Sequence, residues 1–72
     1  MEKNISESIV IDGIQFHKGE KWREVDNRFT RIVQVIAWDL RFKKIGIFCE
    51  GRLTWAKASR FNGKNRGYKR IQ

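Results

Sequence analysis

Three observations predict an all-β fold. Short runs of β-branched and aromatic residues recur along the chain, and each is bounded by Gly, Asn or Asp. An Asp12-Gly13 pair stands between two such runs, Ser8 to Ile11 and Ile14 to His17, which is the strongest short-range signal for a two-residue hairpin turn. Arg52-Leu53-Thr54-Trp55 alternates polar with apolar residues at period two, as a half-buried strand does.

Taken in order, residues 1–7 are polar apart from Ile5 and read as a flexible N-terminus. The Ser8 to His17 hairpin follows as an N-terminal arm, and Lys18-Gly19-Glu20 turns the chain into a brief strand from Lys21 to Val25 that ends at Asp26-Asn27. Phe29 to Trp38 carries Ile32, Val33, Val35 and Ile36 and predicts the longest strand. After a turn at Asp39-Leu40-Arg41, Lys43 to Glu50 reads as a strand in which Gly46 marks a bulge. Glu50-Gly51 turns again into the alternating strand. Ala56 to Phe61 has the length of one helical turn and predicts a short 3₁₀ piece. A loop of turn-forming residues, Asn62 to Gly67, leads to a closing strand at Tyr68 to Ile71. Five short strands after a hairpin arm, with a 3₁₀ turn before the last, is the order of a small five-stranded SH3-like barrel, a single domain over residues 8–72.

Size and composition limit what such a domain does. A chain of 72 residues buries only about 60% of the surface its unfolded form exposes, which leaves room for one core and a shallow surface site. Nine aromatic residues make it too rich for a disordered basic tail. Cys49 is the one cysteine and His17 the one histidine, so neither an intrachain disulfide nor a zinc-ligand cluster is expected. No cofactor is expected either. His17 has no evident nucleophile or carboxylate partner, Cys49 stands among apolar neighbours, and the acids are scattered, so the chain does not read as an enzyme. The absence of a secretory signal, of a long apolar run and of disulfide-forming cysteines fits a cytoplasmic setting.

Charge is the feature that points to a partner. Sixteen Lys and Arg against eight Asp and Glu give a net charge of +8, with a pI near 10.3. The excess is uneven: residues 1–27 carry −2, residues 28–50 carry +3 and residues 51–72 carry +7, with no acid among the last 22. Mixed signs would give solubility without a strong local field, so the one-sidedness predicts a surface for polyanions. The candidate phosphate contacts are Arg31, Arg41, Lys43, Lys44, Lys57, Arg60, Lys64, Arg66, Lys69 and Arg70, on a face built from residues 31–44 and 57–70. Trp22, between Lys21 and Arg23, and Phe42, between Arg41 and Lys43, are the candidates for stacking on bases. Core filling is the competing reading for Trp22, and a hairpin cap is the competing one for Phe42. Trp38 and Trp55 read as core. Asp26 and Arg28 are expected to pair and fix their loop, leaving Arg31 open to a ligand.

The sequence also carries a resemblance. Gly19…Trp22…Asp26-x-Arg28…Arg31-x-Val33-x-Val35, then Arg52-x-Thr54…Arg60-Phe61…Gly67-Tyr68, resembles a group of small, largely uncharacterised bacterial and phage proteins over residues 19–71. Trp55 stands where that pattern has a basic residue. The resemblance implies an SH3-like, KOW- or Tudor-like barrel and a phage or mobile-element origin. The expected partner is nucleic acid, DNA or RNA. The alternative is a module that docks on an acidic host protein, or on a second copy of itself through an edge strand. No amphipathic basic helix offers a membrane-binding face.

Overall fold

The structure, a computed structural model, describes residues 7–26, 28 and 31–71. Among these, seven strands form two antiparallel sheets. Strands β1 (Ser8–Ile11) and β2 (Ile14–His17) make the predicted hairpin, with Asp12 at φ 53° and Gly13 at φ 78°. Glu50 and Gly51 repeat those values, 53° and 78°, at the second two-residue turn. Both central residues lie at positive φ, the primed turn whose twist matches that of its flanking strands.

The second sheet contains β3 (Lys21–Glu24), β4 (Ile32–Asp39), β5 (Lys44–Cys49), β6 (Arg52–Lys57) and β7 (Tyr68–Arg70), in the order β6-β5-β4-β3-β7. A 3₁₀ turn, Ala58–Arg60, precedes the last strand. It is shorter than the predicted span because β6 continues through Ala56 and Lys57, where Ala56 is buried. The bulge lies elsewhere than predicted. Gly46 pairs in register with Ala37 and Trp55, and the irregularity is in β4, where Ile36 is the extra residue between Val35 and Ala37. No ladder joins the end strands β6 and β7 among the described residues.

One face of the five-stranded sheet is the core. Trp22, Val33, Val35, Ile45, Ile47, Ala56 and Tyr68 point into it, and Ile11, Phe16 and Phe61 fill the space in front. Phe61 meets Phe16 and Trp22 edge-on, at 5.1 and 5.0 Å between centroids, and stacks on Tyr68 at 4.6 Å. These are the favoured offset and T-shaped arrangements of aromatic pairs. The first hairpin is therefore a cover over the core rather than a projecting arm. Phe16 is fully buried, and Arg70 reaches across to donate Nη2–H to the carbonyl of Gln15 at 2.7 Å. Residues 1–6 of the expected loose N-terminus lie outside the described residues. Glu7 is held, since its carbonyl accepts the N–H of Lys18 at 3.0 Å and its carboxylate pairs with the Lys18 ammonium.

Candidate nucleic-acid interface

Cross-strand partners in a sheet share a face, so register alone assigns the side opposite the core. Because Ile45 and Ile47 point inward, Lys44, Gly46 and Phe48 point outward. Their partners on β6, Lys57, Trp55 and Leu53, do the same. The result is a ladder of three rungs, Lys44 with Lys57, Gly46 with Trp55 and Phe48 with Leu53. Trp55 is 46% exposed, Phe48 43% and Leu53 51%. On β4, Ile32 and Ile36 are exposed on either side of Gln34, the direct partner of Phe48, whose side-chain amide donates to the carbonyl of Gly19 at 3.1 Å.

Trp55 has a built seat. A Cβ on Gly46 would stand 3.2 Å from Cη2 and Cζ3 of the indole and 3.3 Å from the Cβ of Ala37. The six-membered ring thus lies over a residue without a side chain, beside one with a single methyl. The rest of the ring meets solvent.

Cations border the strip on two sides. At one end Lys44 and Lys57 are direct cross-strand partners. On the far strands Arg23 is the direct partner of Lys69, and Lys21 lies two residues along on the same face. Like charges placed directly opposite each other are destabilising by tenths of a kcal/mol. None of these five side chains forms an ion pair among the described residues. Asp39 shares the rung of Lys44, but its Oδ1 accepts the backbone N–H groups of Arg41 and Phe42, at 3.0 and 3.3 Å.

The structure divides the predicted cations instead of gathering them on one face. Arg41, Phe42 and Lys43 form the exposed tip of the β4–β5 hairpin next to Lys44, with Phe42 63% exposed and Lys43 3.5 Å from Asp12. Lys64 and Arg66 lie at the opposite end of the ladder, where the N–H of Arg66 bonds the carbonyl of Val25 at 2.7 Å. Three others brace the fold. Arg31 Nε donates to the buried Glu24 at 2.8 Å, so the expectation that it is left open is corrected. Arg60 donates twice to the carbonyl of Arg66 and sits 5.1 Å from the Tyr68 ring. Arg70 pairs with Glu20 at 2.6 Å and covers the Trp22 ring at 4.5 Å.

The tryptophans are also reassigned. Trp22 is 3% exposed, donates its indole N–H to Glu20 at 2.8 Å, and is core rather than a stacking platform. Trp55, expected in the core, is on the surface. Trp38 is half-buried against the core, with the Lys18 ammonium 5.2 Å from its ring. Lys21 and Arg23, absent from the predicted contacts, were legible in the alternation Lys-Trp-Arg-Glu, which sends both to the face opposite Trp22.

Arg28 closes on Asp26 as expected, and the backbone N–H of Arg28, at 2.8 Å, is the main cause of a carboxyl pKa below the ordinary value. A cleft of about 200 Å³ on the core side is lined by Glu24, Arg31, Cys49, Glu50 and Arg52, two acids facing two bases. Among the described residues, no three His, Cys, Asp or Glu side chains are grouped to hold a metal ion. No helix is long and apolar enough to cross a membrane.

Tyr68, the only tyrosine, reports on the core by titration. Burial raises its pKa above the ordinary 10.0. The folded state then holds the phenol proton more tightly than the unfolded state does. The stability this gives is complete below the unfolded pKa and is lost as pH rises through the folded one. Phenolate absorbance of the folded protein is expected to appear at higher pH than that of the urea-unfolded chain, and coincident curves would contradict the burial.

The fold and the outer face together define a small basic all-β module with an aromatic and cationic sheet surface. Comparison with family models, with curated proteins and with solved structures gives no match.

Proposed function

We propose that the protein is a nucleic-acid-binding module that receives its ligand on the outer face of the five-stranded sheet. The observation that carries this reading is the seated, half-exposed Trp55 beside the Lys44 and Lys57 pair, with Arg23 and Lys69 paired on the far strands. Two cross-strand pairs of like charge cost stability in the free protein, and phosphates between them turn that repulsion into attraction. An aromatic face beside them offers what a base stacks on. The strand order and the 3₁₀ turn before β7 support placing the domain among small SH3-like barrels. Its role is binding rather than catalysis.

The test is salt dependence. Affinity for a labelled oligonucleotide is expected to fall linearly in log K against log[salt]. Lys44→Glu combined with Lys57→Glu is expected to weaken binding and to flatten the slope by about 1.4 to 1.8, from two phosphates at roughly 0.7 to 0.9 each. Lys64→Glu with Arg66→Glu, at the other end of the molecule, is expected to do much less. A larger effect from the second pair would move the site to the C-terminal loop, and no binding at low salt would remove the reading.

A further inference from the structure

We infer that the ligand is single-stranded, with one base stacked on Trp55 and its neighbours laid along Phe48 and Leu53. This rests on the nucleic-acid reading and narrows it. In a duplex the base faces are occupied by their own neighbours, and a protein meets phosphates, sugars and base edges. An apolar strip on a sheet face would then lie against the most polar part of the ligand. In a single strand the base faces are free, and each has a π surface that an indole accepts whatever the sequence.

The layout of the outer face fits that ligand. Trp55 on β6 and Phe48 on β5 are on adjacent strands and successive rungs, so their rings are offset rather than superposed. Between them and the far cations β4 presents Ile32, Gln34 and Ile36, with Gln34 the direct partner of Phe48. Lys44 is on the rung of Asp39 and Arg23 on that of Ile32, seven residues along β4, so at about 3.3 Å per residue the two groups of cations stand on the order of 20 Å apart along the sheet. That span suits a chain of on the order of four nucleotides, the low end for small β-barrel modules. Phosphates would run from Lys57 and Lys44 towards Arg23 and Lys69, with the bases turned down onto the strip.

The seat on Gly46 favours stacking over mere contact. An indole supported from below by backbone has one face covered and its orientation limited, so a base that lands on it gives up less freedom than it would on a mobile side chain. Phe42, 63% exposed, stands at the hairpin tip past the rung of Lys44 and Lys57.

The test compares labelled oligo-dT with the duplex formed by the same strand and its complement, at one low salt concentration. Single strand is expected to bind at least about tenfold more tightly. Trp55→Ala is expected to cost roughly 5- to 150-fold on the single strand, one stacked base, and less than twofold on the duplex. Should the alanine variant not fold, fluorescence takes its place. Oligo-dT is expected to quench the emission of the native protein, and Trp55→Phe, which keeps a ring, is expected to lose most of that quenching. Equal or tighter binding of the duplex, or a single-strand affinity indifferent to Trp55, overturns the inference while leaving the nucleic-acid reading in place. Failure to bind either probe overturns both.

Discussion

Phe61→Ala is expected to remove a large part of the stability of the fold. Phe61 is 2% exposed and touches three other core aromatics, Phe16, Trp22 and Tyr68, so its removal opens a space that no single neighbour fills. Phenylalanine-to-alanine changes in a core cost about 3 to 5 kcal/mol. A 72-residue domain has roughly 4 to 11 kcal/mol in total. The lone Cys49 cannot supply an intrachain disulfide to make up the difference. The loss also reaches the cover hairpin, because Phe16 is its main contribution to the core. Urea denaturation is the measurement, with the midpoint of the variant expected well below that of the native protein. Phe42→Ala is the matched control. Its ring is 63% exposed, so a change within about 0.5 kcal/mol is expected. A Phe61→Ala loss below 1 kcal/mol would mean that the aromatic cluster is not what holds the hairpin to the sheet.

The fold was legible wherever the signal is local. Asp12-Gly13 and Glu50-Gly51 are turns whose chemistry is contained in two residues, and both form as the sequence predicts. The number of strands after the hairpin and the 3₁₀ turn before the last followed from the spacing of such breaks. The inversion of Trp22 and Trp55 shows where local reading fails. In Arg52-Leu53-Thr54-Trp55-Ala56 the alternation has an apolar and a polar side, and the apolar side faces solvent.

The deciding information sits one strand earlier. β5 is apolar on both faces, with Ile45, Ile47 and Cys49 on one and Phe48 on the other. Once the two isoleucines take the core, the two-residue turn fixes Cys49 opposite Arg52, Ile47 opposite Thr54 and Ile45 opposite Ala56. Leu53 and Trp55 are then forced outward. Turn length and the choice of face on β5 together contain the answer, and neither does so alone. The internal ties of Arg31, Arg60 and Arg70 are of another kind. They join residues 7, 6 and 50 positions apart, respectively, through the packing of the fold, and nothing in the charge pattern separates them from cations that reach solvent.

Gly46→Val is expected to reduce single-strand affinity about as far as Trp55→Ala does, tenfold or more, while leaving the fold intact or slightly more stable. Stability and binding respond in opposite directions because Gly46 serves only one of them. In a strand interior glycine is costly, by about 0.5 to 1 kcal/mol against a residue with a side chain, and valine is among the best strand formers. A side chain at this position points to the outer face, where the obstacle is the indole of Trp55 rather than the core. The first carbon alone would meet that ring at 3.2 Å, and the two methyl groups of valine need more. A half-exposed indole yields by swinging off the sheet, so the protein keeps its fold and loses the platform. Thermal melting and oligo-dT titration of the same sample give the two readouts. Unchanged affinity would show that the ligand does not use the indole as Gly46 holds it. A fall in stability of more than 1 kcal/mol would show that the ring cannot leave, and that Gly46 and Trp55 form part of the packing of the sheet.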